Sequence, residues 1–259
     1  MAGEEAGTST TGTGTTGTST RGKQPRGYEP GTLSAAQPQP VQQPVGAAEL
    51  PLLKEFVTLL EQGPRDTRSA PPNLIVPQPL YADMMRQMEL TLDDGKEHGG
   101  VFGYLPPRIT YGIIYVDGHD YEIKFSEVRS KWPTLRPLGV FHTHLFASGQ
   151  EDGGKKGQFG GGHSFKDLWN FFRRNERVSA VVSYTREGKH KIYFLLRPQR
   201  FSMAGSPEKV AKTYADRVIS LLDQGRDIDE ASEQELGSLA AQGAFAFYTG
   251  VDTRFLEKT

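Results

Sequence analysis

Gly139-Val140-Phe141-His142-Thr143-His144 is the stretch on which the reading of this chain turns. Pro137 and Gly139 precede a short run of β-branched and apolar residues, which predicts a strand over 140–144. Side chains two apart on a strand share a face, so the imidazoles of His142 and His144 can meet one metal ion at about 2.0 Å each. Taken alone, a His-x-His pair is more often two unrelated polar or packing residues.

Working outward, Ser164-Phe165-Lys166-Asp167 opens a predicted helix over 164–175, with Phe165, Leu168, Phe171 and Phe172 on its apolar face. The hydroxyl of Ser164 and the carboxylate of Asp167 then share the first turn, where Asp167 can supply a third metal ligand. The plainer reading is a helix start, with Ser164 as N-cap and Asp167 favoured by the helix dipole. Upstream, Glu97 heads a Gly-containing apolar strand predicted over 98–105. A carboxylate beside a metal-activated water can take its proton and pass it to a leaving amine, whereas most single Glu residues are merely solvated.

The pattern around these fragments interleaves helices and strands. Helices are predicted at 47–62 (Leu50, Leu53, Val57 and Leu60 on one face, ended by Gly63-Pro64) and at 80–92, where Met84, Met85 and Met88 fill the buried side. A Pro-rich connector, 71–79, lies between them. Strands are predicted at 111–116 and 121–125, joined by Asp117-Gly118, and at 179–185 and 191–196 about Glu187-Gly188. Ser206-Pro207 starts a helix running to 224 with Val210, Tyr214, Val218 and Leu221 inward, a weaker helix spans 228–242, and 244–248 is a terminal strand or docking segment.

Glu97, then Gly-x-x-His-x-His, then Ser-x-x-Asp, in this order and with these elements between them, resembles the signature of the JAMM (MPN+, JAB-domain) zinc metalloprotease family. The resemblance covers about 80–197. It implies an α/β fold in which a curved mixed sheet is flanked by helices, the cytidine-deaminase-like JAMM architecture. It also implies Zn2+ held by His142, His144 and Asp167 with a water in the fourth position, Glu97 as general base and Ser164 as hydrogen-bond donor to the oxyanion. The implied activity is hydrolysis of a peptide or isopeptide bond, at a ubiquitin-like or other extended protein tail. Two features depart from the family pattern: Leu145 stands where Pro usually follows the second His, and Ser164 comes twenty residues after His144. The segment 147–163, with 7 Gly among 17 residues, absorbs the extra length as a lid or a tolerated loop. Within it, Ser148-x-x-Glu151 is the nearest rival to Ser-x-x-Asp; the amphipathic helix that follows Asp167 favours Asp167.

His98 either orients Glu97 or simply ends a strand, and His163 is either a bystander or a contact to the oxyanion. His119 and His190 fall at turns and are poor ligand candidates, while Trp132 and Trp169 read as packing residues.

The predicted domain plan is a low-complexity disordered arm (1–46), a helix and connector (47–79), the catalytic domain (80–200) and a C-terminal helical extension (201–259), with the arm and the C-terminal helices available to a partner protein. Composition narrows function further. Thirty Lys plus Arg against 31 Asp plus Glu give a net charge of -1, so no nucleic-acid footprint is expected. The absence of Cys excludes thiolate nucleophiles and Cys-built metal sites. No apolar run suits a membrane span and no secretory pattern opens the chain, so a cytoplasmic location is expected, with an exported effector as the alternative. Two other classes stand beside the peptidase: a catalytically silent MPN-type interaction scaffold, which typically lacks the ligands, and a RadC-like, DNA-repair-associated protein, which a basic face would favour.

Overall fold

The computed structural model describes residues 45–105, 135–144, 161–174, 177–185 and 187–259, together with the backbone of strands at 41–42 and 111–116. In chain order the elements are β1 (Val41–Gln42), α1 (Leu50–Gln62), β2 (Asn73–Ile75), α2 (Gln78–Asp94), β3 (Gly99–Tyr104), β4 (Tyr111–Val116) and β5 (Arg136–His144). They continue with α3 (Phe165–Arg173), β6 (Val178–Tyr184), β7 (His190–Leu196), α4 (Pro207–Asp223), α5 (Ile228–Ala241), β8 (Ala246–Val251) and β9 (Phe255–Lys258).

Among the described residues the strands form one curled mixed sheet in the order β1-β4-β3-β5-β6-β7-β8-β9-β2. The α/β class and the helix-flanked mixed sheet expected from the sequence are therefore present. Among the described strands only β5 and β6 run parallel, and α3 lies on the crossover between them. A parallel pair needs such a crossover, which places the start of α3 beside the carboxyl end of β5.

The helices form where the apolar spacing directs. Leu53, Phe56, Val57 and Leu60 are buried in α1, whereas Leu50, expected inward, is exposed at the helix start and Phe56 takes up the packing. Gly63, with φ +67°, ends this helix, and α2 closes on the left-handed Gly95. Met84 and Met88 are fully buried as expected, with Met85 half-buried at the edge of the same cluster.

Side chains alternating along the central strands separate two interiors. Ala180, Val182, Ile192, Phe194, Leu196 and Tyr248 pack with α1 and α2. Val181, Tyr193, Leu195 and Phe247 pack with α3, α4 and α5.

Three segments expected outside the catalytic fold join the same sheet. Val41–Gln42, from the expected disordered arm, pairs antiparallel with β4. Asn73–Ile75, from the Pro-rich connector, pairs with β9. The C-terminal extension is not wholly helical, because β8 pairs with β7 and carries β9 behind it. The expected strand 121–125, most of the 147–163 segment, Ser148, Glu151, His119 and Trp132 lie outside the described residues.

Candidate metal centre

The site forms where the crossover leaves the sheet. His142 and His144 end β5, α3 begins at Ser164, and the turn from α2 into β3 brings Glu97 alongside. Phe141 belongs to the interior under α1 and α2, so alternation turns the two histidines toward α3. Both imidazoles are 4 % exposed.

Close approach of β3 to β5 helps to bring Glu97 in. Gly99 pairs with His142, and a Cβ on Gly99 would lie 2.2 Å from the Phe141 carbonyl oxygen and 2.8 Å from the His142 Cα. Glycine is required there by space rather than by backbone conformation.

The four polar heads converge. The two histidine Nε2 atoms are 3.0 Å apart, and the rings meet edge to face. Asp167 Oδ1 lies 3.2 Å from His142 Nε2, and Asp167 Oδ2 lies 3.5 Å from His144 Nε2. Glu97 Oε1 approaches His144 Nε2 to 3.7 Å. The ligand atoms of Glu97, His142 and His144 all fall within 4.8 Å of one another, a grouping that could hold a metal ion.

Ser164 caps α3. Its Oγ accepts from the Asp167 amide at 3.3 Å, while Asp167 Oδ2 accepts from the Ser164 amide at 2.7 Å, a reciprocal capping box. The two readings of Ser-x-x-Asp are thus compatible: the same box that starts the helix fixes the carboxylate against the imidazoles.

Electrostatics set the protonation states. Burial pulls the His144 pKa down to about 4, with the charge of His142 adding to the effect and Asp167 opposing it. Burial raises the Asp167 pKa, but the surrounding histidines outweigh it and hold the carboxyl well below its ordinary range. His144 is therefore neutral and Asp167 ionised near neutral pH, the states in which each binds a cation. Two Nε2 atoms this close either share one hydrogen or turn both lone pairs on a common ion, so the donor set fits a divalent metal.

The other candidates divide. His163 is buried with Nε2 3.0 Å from Ser179 Oγ and 3.2 Å from the Ser179 carbonyl oxygen, and burial brings its pKa to about 3. It is a neutral internal residue tied to β6. His98 Nε2 lies 3.0 Å from both Asp94 carboxylate oxygens. His190 Nδ1 faces Asp252 at 3.4 Å, away from the cluster as expected. Trp169 stacks on Phe165 and receives Arg173 over its ring, a helix-packing role. The sequence reading passed over Thr143, whose buried hydroxyl lies on the opposite face of β5 from the histidines. Its position between them was the available signal.

No family model matches the chain, and neither curated proteins nor solved structures give a match. No helix among the described residues is long and apolar enough to cross a membrane.

Proposed function

We propose that the chain is a zinc-dependent peptidase or isopeptidase of the JAMM type, acting on a ubiquitin-like or other extended protein tail. The observation that carries this reading is the convergence of Glu97, His142, His144 and Asp167 from three segments at the carboxyl end of β5, the two histidines buried and both carboxylates largely shielded. The neutral His144, the His142 imidazole beside it and one ionised carboxylate make the three-ligand set of a catalytic zinc that keeps a position open. When bound, zinc supplies an activated water near neutral pH and polarises a carbonyl.

The chain's own residues do the rest. Glu97 stands against His144 with Oε1 3.7 Å from Nε2, placed to accept a proton and return it to the leaving amine. The Ser164 oxygen already accepts from the Asp167 amide, so its hydroxyl hydrogen is left to donate to the developing oxyanion. The buried histidines and the largely shielded Glu97 carboxylate strengthen these interactions relative to open water.

Zinc content of the purified protein tests the reading, with Asp167→Ala and Glu151→Ala alongside. The expected result is near one zinc per chain, lost in Asp167→Ala and kept in Glu151→Ala, and cleavage of a ubiquitin-like fusion by wild type but not by Glu97→Gln. A wild type that takes up no zinc after refilling overturns the reading and moves the chain to the class of interaction scaffolds.

A further inference from the structure

The α2 side of β5 holds a buried polar chain beside an apolar cluster. Thr143 and Thr91 are both fully buried, and their hydroxyls touch. Thr91 Oγ1 also donates to the Gln87 carbonyl oxygen at 3.0 Å. Thr143 Oγ1 accepts the amide hydrogen of His98 at 2.8 Å and lies 3.1 Å from the His98 carbonyl oxygen, which in turn accepts the Thr143 amide hydrogen at 2.8 Å.

Proton counting shows how tightly this is built. Two hydroxyl hydrogens serve three acceptors: the Gln87 carbonyl, the His98 carbonyl and whichever hydroxyl receives the other. The His98 amide has no such freedom, because in every arrangement it donates to Thr143 Oγ1. Buried polar groups of this kind carry a large penalty when a partner is removed.

The segment so held is the one that presents Glu97. Lys96 donates its amide hydrogen to Asp94 Oδ1 at 2.9 Å, and the His98 ring reaches the same carboxylate. Glu97 thus lies between two pinned residues, one fixed to the end of α2 and the other to Thr143. Thr143 in turn is the backbone link between His142 and His144.

We propose that Thr143, backed by Thr91, is the positioning residue that sets Glu97 against the histidine pair from the opposite face of the sheet. This rests on the reading of Glu97 as proton carrier for its consequence in turnover, but not for its geometric part. Removing the hydroxyl releases the His98 amide and lets Glu97 drift, while leaving the imidazoles and Asp167 where they are.

The test compares wild type, Thr143→Val, Thr143→Ser and Thr91→Val as full-length protein, loaded with zinc and metal-free. Amide hydrogen exchange at Glu97 and His98 is read first. The expected result is faster exchange there in Thr143→Val, restored by Thr143→Ser, with zinc content unchanged in both. Turnover of a ubiquitin-like fusion falls about 100-fold in Thr143→Val, in kcat rather than KM, because a displacement of about 1 Å has that order of effect. Thr91→Val shifts exchange in the same direction by less, and reports even where Thr143→Val fails to fold.

Unchanged exchange in both valine variants overturns the proposal, as does loss of zinc in a folded Thr143→Val, which would make Thr143 a support of the histidines instead. Should wild type cleave no fusion, the peptidase reading falls, and exchange with rescue by serine still decides whether Thr143 fixes the Glu97 segment.

Discussion

Strand β5 faces two interiors that do different work. Toward α1 and α2 it offers Phe141 and Thr143, and apart from the Thr143–Thr91 contact this side is dominated by apolar packing around Phe56, Phe102 and Phe194. Toward α3 it offers His142 and His144, next to an apolar cluster of Leu168, Phe171, Tyr193 and Phe247 that stops short of them. One side sets where the strand lies and the other uses that placement. The difference teaches that a change on the packing side should alter stability and leave the donor set intact, whereas a change on the α3 side should alter both.

The largest effect expected is on turnover. Glu97→Gln should retain near one zinc per chain and lower kcat by about 10²–10⁴-fold, the usual contribution of a positioned general base. Metal analysis beside kinetics checks it. Zinc loss in this variant would make Glu97 a ligand, a role its grouping with the two histidines also permits.

The comparison itself is sharpened by a pair of truncations. Phe194→Ala, on the α1 and α2 side, should destabilise by about 3–5 kcal/mol with zinc content of the folded protein unchanged. Leu168→Ala, one residue beyond Asp167 in α3 and fully buried, should destabilise by about 2–5 kcal/mol and also weaken zinc retention, because α3 carries the carboxylate. Denaturant melts with chelator competition separate the two. Equal zinc retention in both variants would break the distinction between the faces.

Much of this fold was legible because its signals are local. The 3.6 spacing of Leu168, Phe171 and Phe172, the Ser206-Pro207 start of α4 and the glycine stops at Gly63 and Gly95 each act within a turn or two. The two short strands at one end of the sheet were not legible, since Asn73–Ile75 sits among prolines and Phe255–Lys258 has no alternation long enough to mark it; the first becomes a strand by pairing with β9 and the second by pairing with β2 and β8. At the site, residue types and order pointed to His142, His144, Asp167 and Glu97, and the structure brings all four together. Thr143 escaped notice because a threonine in a strand is ordinary, and its importance exists only once α2 is packed behind it.

Acid should act on the α3 side before the other. His144 and His163 have folded values of about 4 and about 3 against an ordinary 6.5, so the unfolded chain binds the protons first. For a histidine lowered in the folded state, stability is full above about 6.5 and is lost as pH falls toward the folded value. Metal-free protein should therefore lose stability between about pH 6.5 and pH 3, with a slope approaching two protons. Asp167, held low by its histidine neighbours, adds to the loss only at more acid pH. Chemical denaturation across this range checks the sign; stability that rises on acidification would mean that the histidines are not buried neutral.

The smallest effect separates the two roles of Ser164. As N-cap it accepts the Asp167 amide hydrogen, and Ser164→Ala should lower stability by about 1 kcal/mol. Ser164→Asn keeps a side-chain cap of comparable strength, since Asn ranks with Ser at this position. If the hydroxyl also donates to an oxyanion, Ser164→Asn should restore the melting temperature without restoring kcat, whose loss lies near 10²–10³-fold for removal of one such donor. Recovery of both together would reduce Ser164 to a cap, and the site would then stabilise the oxyanion through the metal alone.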